Sequence, residues 1–495
     1  MQSTVSAPLL AGLLFIAFRL ALLAVDKPSA VRTDGDAAGH VGYVKEYRRT
    51  GGRPIDLSTR YLLEESSYPN GFHKLIYFLG FDPDRLFSTG RFFPAIFDFV
   101  LFLFTCLTVF AIGGTHTEWL LFFPFLRMLW GNEGRSSHFN ERALGVLLGN
   151  IYLVSAIAFA STGTLGLILL AIISYTLLSV SSKFSIQAVW VFSFGLSLTL
   201  WDATFLAVLA ISFVASVLVT RGYSWTVLKG LLRHSLWNRE MRRVGKVRNS
   251  EWWKQLRRPL FTWRYMYALS RNSVLRAFTD NPISLPLIAG LTYLSNGHRY
   301  WLAAVLLGIV VCGLVSFQRL QFIGEPERYL EYAVVPQFVV VSFLPVTNFV
   351  GPLLATISLT LVVLAIEMLE RVKSRPTRLQ RGQDLVNLGS WLSLQGAVTV
   401  VTDPGRISTF LGLFAEEVSF VWIYSHVRPG QAYVDFGDML SQYPNLSSDA
   451  VVVARRYGAR LLIQELQSPT VRQAHKLPGL GSPVYENSSF RVDLI

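Results

Sequence analysis

Long apolar runs recur along the first three quarters of the chain and are separated by short polar breaks. The first run, Ala7 to Val25, has about the 20 residues that a membrane-spanning helix needs. It has no basic stretch before it and no small-residue cleavage site after it, so we expect a retained helix rather than a signal peptide. The pattern predicts about eleven spans, at 7–25, 92–113, 118–130, 143–160, 163–181, 185–200, 203–219, 281–297, 300–317, 333–347 and 350–369.

Two charged residues lie inside these runs. Arg19 interrupts the first run, where insertion scales place the cost of a central arginine near ~3 kcal/mol. Its side chain either extends towards the nearer membrane surface or pairs with a carboxylate inside the membrane. Asp98, in the second run, is the candidate partner for such a pair.

Three polar regions accompany the runs. Residues 26–91 are too long for a tight connection and predict a structured first outer loop. Residues 221–280 contain 14 Arg or Lys and three acidic residues, interleaved with Trp, which is typical of an interfacial segment. Beyond Glu370 short apolar runs alternate with helical patterns, so we expect a membrane domain over 1–369 and a small soluble α/β domain over 370–495. The expected strands are 398–401, 419–424 and 461–464, and the expected helices are 406–417 and 448–457.

Composition agrees with a polytopic α-helical membrane protein. The chain has 495 residues, 52% hydrophobic and 16% charged, with a mean hydropathy of +0.40, which is too apolar for a soluble protein of this length. Cys106 and Cys312 both lie in apolar runs, so we expect neither a disulfide framework nor a cysteine metal site. The formal charge of +13 indicates lipid phosphates and anionic headgroups as partners rather than nucleic acid.

Candidate chemistry begins directly after the first run. Asp34 and Asp36 are two residues apart, His40 follows four residues later, and His73 lies just after the Tyr-Pro turn that begins at Tyr68. We interpret this set as part of a reaction centre, with Asp36 preferred over Asp34 because it lies closer to His40. The alternatives are an ordinary Asp-Gly-Asp turn and ordinary hydrogen-bonded loop histidines.

Further candidates lie in two later polar turns. Glu133 and His138 belong to the turn over 131–142, and Arg319, Arg328 and Tyr329 belong to the turn over 319–332. Arginines supply fixed positive charge and paired donors for a phosphate. The alternative for Arg328 is a helix cap or an ion pair with Glu325 or Glu331.

These groups suit a transfer reaction at a lipid phosphate. A carboxylate within reach of an acceptor hydroxyl can act as general base, and arginines can stabilise the charge that develops on a departing phosphate. If the loop over 26–91 is on the outer face, the span count places all these turns and the C-terminal domain on that face as well. The positive-inside rule opposes this for 221–280, although segments of about 60 residues translocate largely regardless of charge.

The layout resembles the GT-C superfamily of membrane glycosyltransferases. An acidic residue shortly after the first helix and a Tyr-Pro and His stretch late in the first outer loop are similar to that family. Arg328-Tyr329-Leu330, followed by Pro336, is similar to the Arg-Tyr-Leu…Pro signature of the protein-mannosyltransferase-like and lipid A aminoarabinose transferase-like branches.

The resemblance implies an inverting transfer from a polyprenyl-phosphate sugar to a glycan, lipid or protein acceptor at the outer face of the plasma or inner membrane. It implies Asp36 or Asp34 as base and Arg328 at the donor phosphate, with Arg319, His40, His73, Tyr68, Glu133, His138 and Tyr329 as further substrate-binding candidates. The family's metal-dependent members have a fuller acidic motif in the second outer loop. If a metal participates here, it is a divalent cation such as Mg²⁺ or Mn²⁺, with Asp34, Asp36 and Glu133 as ligands. The rival hypotheses are a non-catalytic GT-C-like subunit and a lipid-carrier transporter or flippase.

Overall fold

The structure is a computed structural model of the chain. It describes residues 3–25, 35–53, 56–65, 68–131, 138–244, 276–291, 298–317, 320, 323–423, 427–440, 446–447, 449–466 and 482–495. The chain forms two compact units. The membrane unit is Met1–Lys27, Arg91–Leu228 and Asn249–Val372, and the sheet unit is Pro28–Gly90, Lys229–Arg248 and Lys373–Ile495.

Helices make up most of the described chain. In order they are α1 (Ser3–Val25), α2 (Gly35–Arg49), α3 (Gly71–Phe78), α4 (Leu86–Thr89), α5 (Phe92–Ala111), α6 (Arg127–Trp130), α7 (Arg142–Thr162), α8 (Leu165–Ser181), α9 (Lys183–Leu200), α10 (Thr204–Val219), α11 (Tyr223–Val244), α12 (Arg276–Thr279), α13 (Ser284–Ala289), α14 (Arg299–Val315), α15 (Val334–Val341), α16 (Val350–Ser393), α17 (Ile407–Phe414), α18 (Gln431–Met439) and α19 (Ala450–Arg456). The 3₁₀ segments are Pro83–Arg85, Thr117–Phe125, Pro326–Ala333 and Val346–Phe349.

The membrane unit contains several helices that are long and apolar enough to cross a bilayer. Five of them are found among the described residues: Ser6–Val25, Phe92–Ala111, Arg142–Thr162, Lys183–Leu200 and Val346–Leu369. The bent pair Thr204–Val219 and Tyr223–Leu236 makes a sixth if it is counted as one span, and α8 and α14 are apolar but shorter. The chain is therefore a polytopic membrane protein, while the expected count of eleven is not confirmed.

Three of the expected spans are not long helices in the described chain. The run at 118–130 forms the 3₁₀ segment Thr117–Phe125, which contains Pro124, and then the four-residue α6. The run at 281–297 forms α13, which ends before Gly290, and its residues 292–297 lie outside the described ones. The run at 333–347 forms only the eight-residue α15. Prolines remove backbone donors and end regular helix, so apolar composition alone overstated the length of these elements.

Buried ion pairs lie inside the membrane unit. Arg19 on α1 pairs with Asp98 on α5, and its guanidinium also donates to the carbonyl of Leu129 at 3.1 Å. Arg19 therefore pairs inside the unit rather than extending to a surface, because only 4% of its side chain is exposed. Arg127 likewise pairs with the carboxylates of Asp280 and Glu367. These contacts connect helices that are distant in sequence.

The sheet unit contains a mixed five-stranded sheet in the order β2-β1-β3-β5-β4. β1 pairs in parallel with β2 and β3, while β5 is antiparallel to β3 and β4. The strands expected at 398–401 and 461–464 are present as β1 (Thr399–Asp403) and β3 (Leu461–Glu465). The strand expected at 419–424 is only the two-residue β2 (Ser419–Phe420), and residue 424 lies outside the described ones. β4 (Tyr485–Glu486) and β5 (Phe490–Leu494) complete the sheet. The expected helices correspond to α17 and α19, which are a few residues shorter.

A segment from the beginning of the chain extends this sheet. Phe420 donates its backbone N–H to Arg60 at 2.7 Å, and Leu62 donates to Phe420 at 3.0 Å. Leu63 is fully buried in the core that Val401 and Val421 also line. Burial of one such leucine contributes about 1.5–3 kcal/mol. The first polar loop and the C-terminal region therefore fold together as one body.

Candidate functional site

Two helices of the sheet unit position a pair of histidines. His40 on α2 is buried, and His73 on α3 is completely buried. His40 Nδ1 lies 2.7 Å from His73 Nε2, and the two rings stack with their centroids 5.0 Å apart. One nitrogen of such a pair donates while the other accepts, so the two rings together hold a defined tautomer.

Burial sets the charge of His73. It lowers the pKa of His73 well below its usual value, and the nearby His40 lowers it further. A neutral imidazole at neutral pH is the form that accepts hydrogen bonds and binds metals. His73 is therefore suited to bind a ligand or orient a partner rather than to carry positive charge.

Aromatic rings surround the histidines. Tyr68 is half-buried and stacks on the fully buried Tyr43 at 5.5 Å. The Tyr68 ring is also 6.1 Å from both His40 and His73. The Tyr-Pro turn expected from sequence thus lies against the histidine pair. Stacked tyrosines present flat apolar faces with polar tips, a common lining for sugar or phenolic ligands.

The aspartates lie at the beginning of α2. Asp36 is in the first turn of the helix, one turn before His40, rather than in a loop. The side chain of Asp36 is not among those described, and Asp34 lies outside the described residues, as do Arg319 and Glu133. Asp36 and His40 are both on α2, and the catalytic role of either aspartate stays a prediction.

Arg328 lies in the 3₁₀ segment of the membrane unit. Its Nε donates to Glu325 at 2.6 Å, and its guanidinium lies 5.1 Å from the centre of the Phe184 ring. About a quarter of the side chain is exposed, 27%. The ion pair with Glu325 is one of the alternatives expected from sequence. Tyr329, by contrast, is fully buried, and its hydroxyl donates to the carbonyl of Ile323 at 3.0 Å.

Sequence reasoning missed one arginine of this region. Arg142, at the start of α7, pairs with the buried Glu331 and lies 3.8 Å from Glu325. In the sequence Arg142 is at the edge of an apolar run, where nothing marks it as part of a site. Its ion pair with Glu331 of the 3₁₀ segment identifies it. The preceding residue Glu141 and the candidate His138 are both buried in the membrane unit.

The imidazole pair also bears on metal binding. Neutral imidazole nitrogens suit zinc and similar ions, whereas Mg²⁺ and Mn²⁺ prefer oxygen ligands. Two nitrogens at 2.7 Å are closer than two ligands of one tetrahedral zinc, which are about 3.3 Å apart for bonds of ~2.0 Å. The shared hydrogen bond closes the space between the two nitrogens in this structure. The residue types suit a divalent cation of the zinc type, which would replace the shared proton, move the nitrogens apart and require further ligands.

Together these features define a polytopic α-helical membrane protein joined to an α/β unit, with polar and aromatic groups gathered after the first span. Among solved structures, the chain is similar to the oligosaccharyltransferase of Archaeoglobus fulgidus, whose structure is a complex with Zn and sulfate, with a TM-score of 0.51 and 11% identity. The similarity covers 91% of this chain and 68% of that one. No protein-family model and no curated protein matches the chain. The likeness is one of fold, at 11% sequence identity.

Proposed function

We propose that this chain is an integral-membrane glycosyltransferase that moves a sugar from a polyprenyl-phosphate donor to an acceptor hydroxyl. The observation that carries the proposal is the fold similarity to an oligosaccharyltransferase over 91% of the chain. The polar and aromatic cluster on α2 and α3 supports it, because a transferase needs positioned groups outside the apolar part of its spans.

In the proposed reaction, the acceptor oxygen attacks the anomeric carbon of the donor sugar. A new carbon–oxygen bond forms as the bond to the lipid phosphate breaks, and the configuration inverts. Asp36, or Asp34, takes the proton of the acceptor hydroxyl. The polyprenyl phosphate leaves with the bonding electron pair, and Arg328 stabilises its charge.

The histidine pair has a proposed role in binding. His73 is neutral and fixed by stacking, so we infer that His40 and His73 orient a sugar hydroxyl or hold a divalent cation. Such a cation would neutralise charge on a phosphate. Tyr68 provides a flat surface for the sugar ring. Arg319, Glu133, His138 and Tyr329 stay substrate-binding candidates from sequence.

Turnover of labelled polyprenyl-phosphate sugars by the purified full chain tests the proposal. We expect Asp36→Asn to reduce transfer about 100-fold or more and Arg328→Ala by a similar factor. Asp84→Asn removes an exposed carboxylate of the same unit and is the matched control, with transfer unchanged. Thermal unfolding of each variant shows whether it is folded.

Undiminished transfer in both Asp34→Asn and Asp36→Asn would overturn the general-base assignment. If the wild type transfers no sugar from any such donor, a non-catalytic subunit becomes the better hypothesis. Movement of the lipid carrier across vesicles without transfer would instead favour a flippase.

The cation has its own test. We expect purified wild-type chain to retain about one divalent ion per chain by elemental analysis, and the double variant His40→Phe/His73→Phe to lose it. His116→Phe, which lies outside the pair, is the control. Equal metal content in all three proteins would exclude the pair as the binding site.

A further inference from the structure

A pocket of about 210 Å³ lies within the sheet unit, on the side of α2 away from the histidine pair. Its charged lining residues are Lys45, Glu46, Arg48, Arg49, Arg60 and Glu416. Four are basic and two are acidic, so the lining has a net charge of +2. Since one water occupies about 30 Å³ of liquid, the space admits roughly seven waters or one small polar group.

Backbone carbonyls hold two of the basic side chains in place. Arg60 donates to the carbonyls of Gly412 and Glu416 at 3.0 and 2.9 Å. Lys45 donates to the carbonyl of Leu413 at 2.8 Å and pairs with the Glu416 carboxylate at 2.8 Å. The last turn of α17, together with Glu416 just after it, therefore orients cations that come from the beginning of the chain. Such orientation reduces the side-chain entropy that a ligand would otherwise have to overcome.

Positive charge exceeds negative charge at this place. Arg49 pairs with Glu46, and Arg48 lies 3.2 Å from Asp82. Within the described chain, Arg60 donates to two backbone carbonyls and forms no salt bridge with a carboxylate, so its charge is not cancelled by a direct ion pair. The pKa of Glu416 is lowered by its hydrogen bond from Lys45, then by the charge of Lys45 and more weakly by Arg60 and Arg49. The surrounding cations thus favour a further anion.

We propose that this pocket binds a phosphate-bearing anion. The guanidinium groups of three arginines and the ammonium group of Lys45 line the pocket. Its volume of about 210 Å³ is large enough for a phosphate group. A guanidinium matches two phosphate oxygens with two parallel hydrogen bonds, and a phosphate has further oxygens for the other cations of the pocket. The ion pairs of Arg48 with Asp82 and of Arg49 with Glu46 involve largely exposed arginines, and such pairs are weak enough for a ligand to replace.

The phosphate has two chemical sources, a lipid headgroup or a soluble phosphate compound. Both present the same tetrahedral anion to the pocket, and the experiment below separates them. This inference does not depend on the proposed transferase activity, since every residue it uses lies outside the candidate site.

Binding of labelled pyrophosphate to the full chain in phosphatidylcholine nanodiscs is the first measurement. We expect saturable binding that weakens as salt rises. In Arg49→Gln/Arg60→Gln, the dissociation constant should rise at least about tenfold. Arg406→Gln/Arg455→Gln removes two exposed arginines of the same unit away from the pocket and should bind as the wild type does.

The second measurement adds phosphatidylglycerol to the nanodiscs. If phosphatidylglycerol abolishes pyrophosphate binding to the wild type and to the control variant, its headgroup competes for the pocket, and a lipid headgroup is the natural source of the phosphate. Unchanged binding identifies a soluble phosphate compound. Thermal unfolding shows whether each variant is folded. If Arg49→Gln/Arg60→Gln is folded and binds pyrophosphate as well as the control variant does, the proposal is overturned. Absence of saturable binding to the wild type, with or without the anionic lipid, overturns it too.

Discussion

The guanidinium of Arg19 lies in the apolar part of α1 and is held by the Asp98 carboxylate. Both side chains are almost completely buried, so each charge depends on the other for its stability. A helix that inserts with an arginine therefore requires α5 beside it. The pair explains why a costly residue is tolerated in the first span.

Removal of one partner should be worse than removal of both. We expect Asp98→Asn to destabilise the protein by about 3–5 kcal/mol, because it leaves the Arg19 charge buried without its partner. The double variant Arg19→Met/Asp98→Leu should lose much less. Thermal unfolding in detergent measures both proteins. A double variant at least as unstable as Asp98→Asn would contradict this account.

His73 makes stability depend on pH in the sheet unit. Its pKa is low in the folded protein because of burial and His40, and it returns to about 6.5 on unfolding. The unfolded chain therefore binds more protons below that value, so stability is present above about pH 6.5 and is lost as the pH falls.

We expect the unfolding temperature to fall between pH 7 and pH 5, with a slope of up to about 1.4 kcal/mol per pH unit from this histidine. His73→Gln cannot titrate and should flatten the profile, while His116→Gln should leave it unchanged. A profile that is equally steep in His73→Gln would assign the dependence to other groups.

At the scale of elements, α7 anchors the segment that carries Arg328. Asn150 is fully buried in α7, and its amide donates to the carbonyl of Glu331 at 2.9 Å. Its side-chain oxygen accepts the N–H of Val335 at 3.4 Å. The amide thus supplies partners where the 3₁₀ segment changes into α15, a point at which helical hydrogen bonding is interrupted.

We expect Asn150→Leu to destabilise the membrane unit by about 1–3 kcal/mol, because buried backbone groups lose their partners. Ser155→Ala is the control on the same helix, since that hydroxyl bonds only the carbonyl of Ile151 in its own helix. Thermal unfolding compares the two. If Ser155→Ala costs as much as Asn150→Leu, the anchoring role is excluded.

The sequence predicted the long apolar helices well and the short ones poorly. The run at 143–160 corresponds to α7 almost residue for residue, because its apolar pattern is uninterrupted. At 118–130 and 333–347 composition was equally apolar, but prolines and local turns decided the outcome. His40 and His73 were named singly, while their contact across 33 positions depends on how α2 and α3 pack. No local pattern contains that information.

At the scale of the whole molecule, the sheet unit constrains the topology. It contains both Pro28–Gly90 and Lys373–Ile495, and strand pairing joins Tyr61 to Phe420. Two segments of one folded body lie on the same side of a bilayer. The chain must therefore cross the membrane an even number of times between Gly90 and Lys373. The ion pair between Arg233 and Glu65 places the beginning of the basic region in the same unit.

Cysteine labelling tests this arrangement. We expect Thr59→Cys and Ser390→Cys, both at exposed positions, to react with an impermeant maleimide from the same side of intact cells. The native Cys106 and Cys312 are buried and should contribute little background. Permeabilised cells provide the reference for full reactivity. Labelling of the two positions from opposite sides would exclude the shared unit, and labelling from outside would support the proposed outer-face site.

The pairing of the first loop with the sheet also delays folding of that loop during synthesis of the chain. Arg60 and its partner Gly412 are 352 positions apart, so at about 5–20 residues per second the loop waits roughly 20–70 seconds for its partner. During that interval Leu63 has no core to enter and is a ready target for chaperones. A chain that stops early never covers this leucine. The core around Leu63 is therefore complete only after Leu462 has been synthesised.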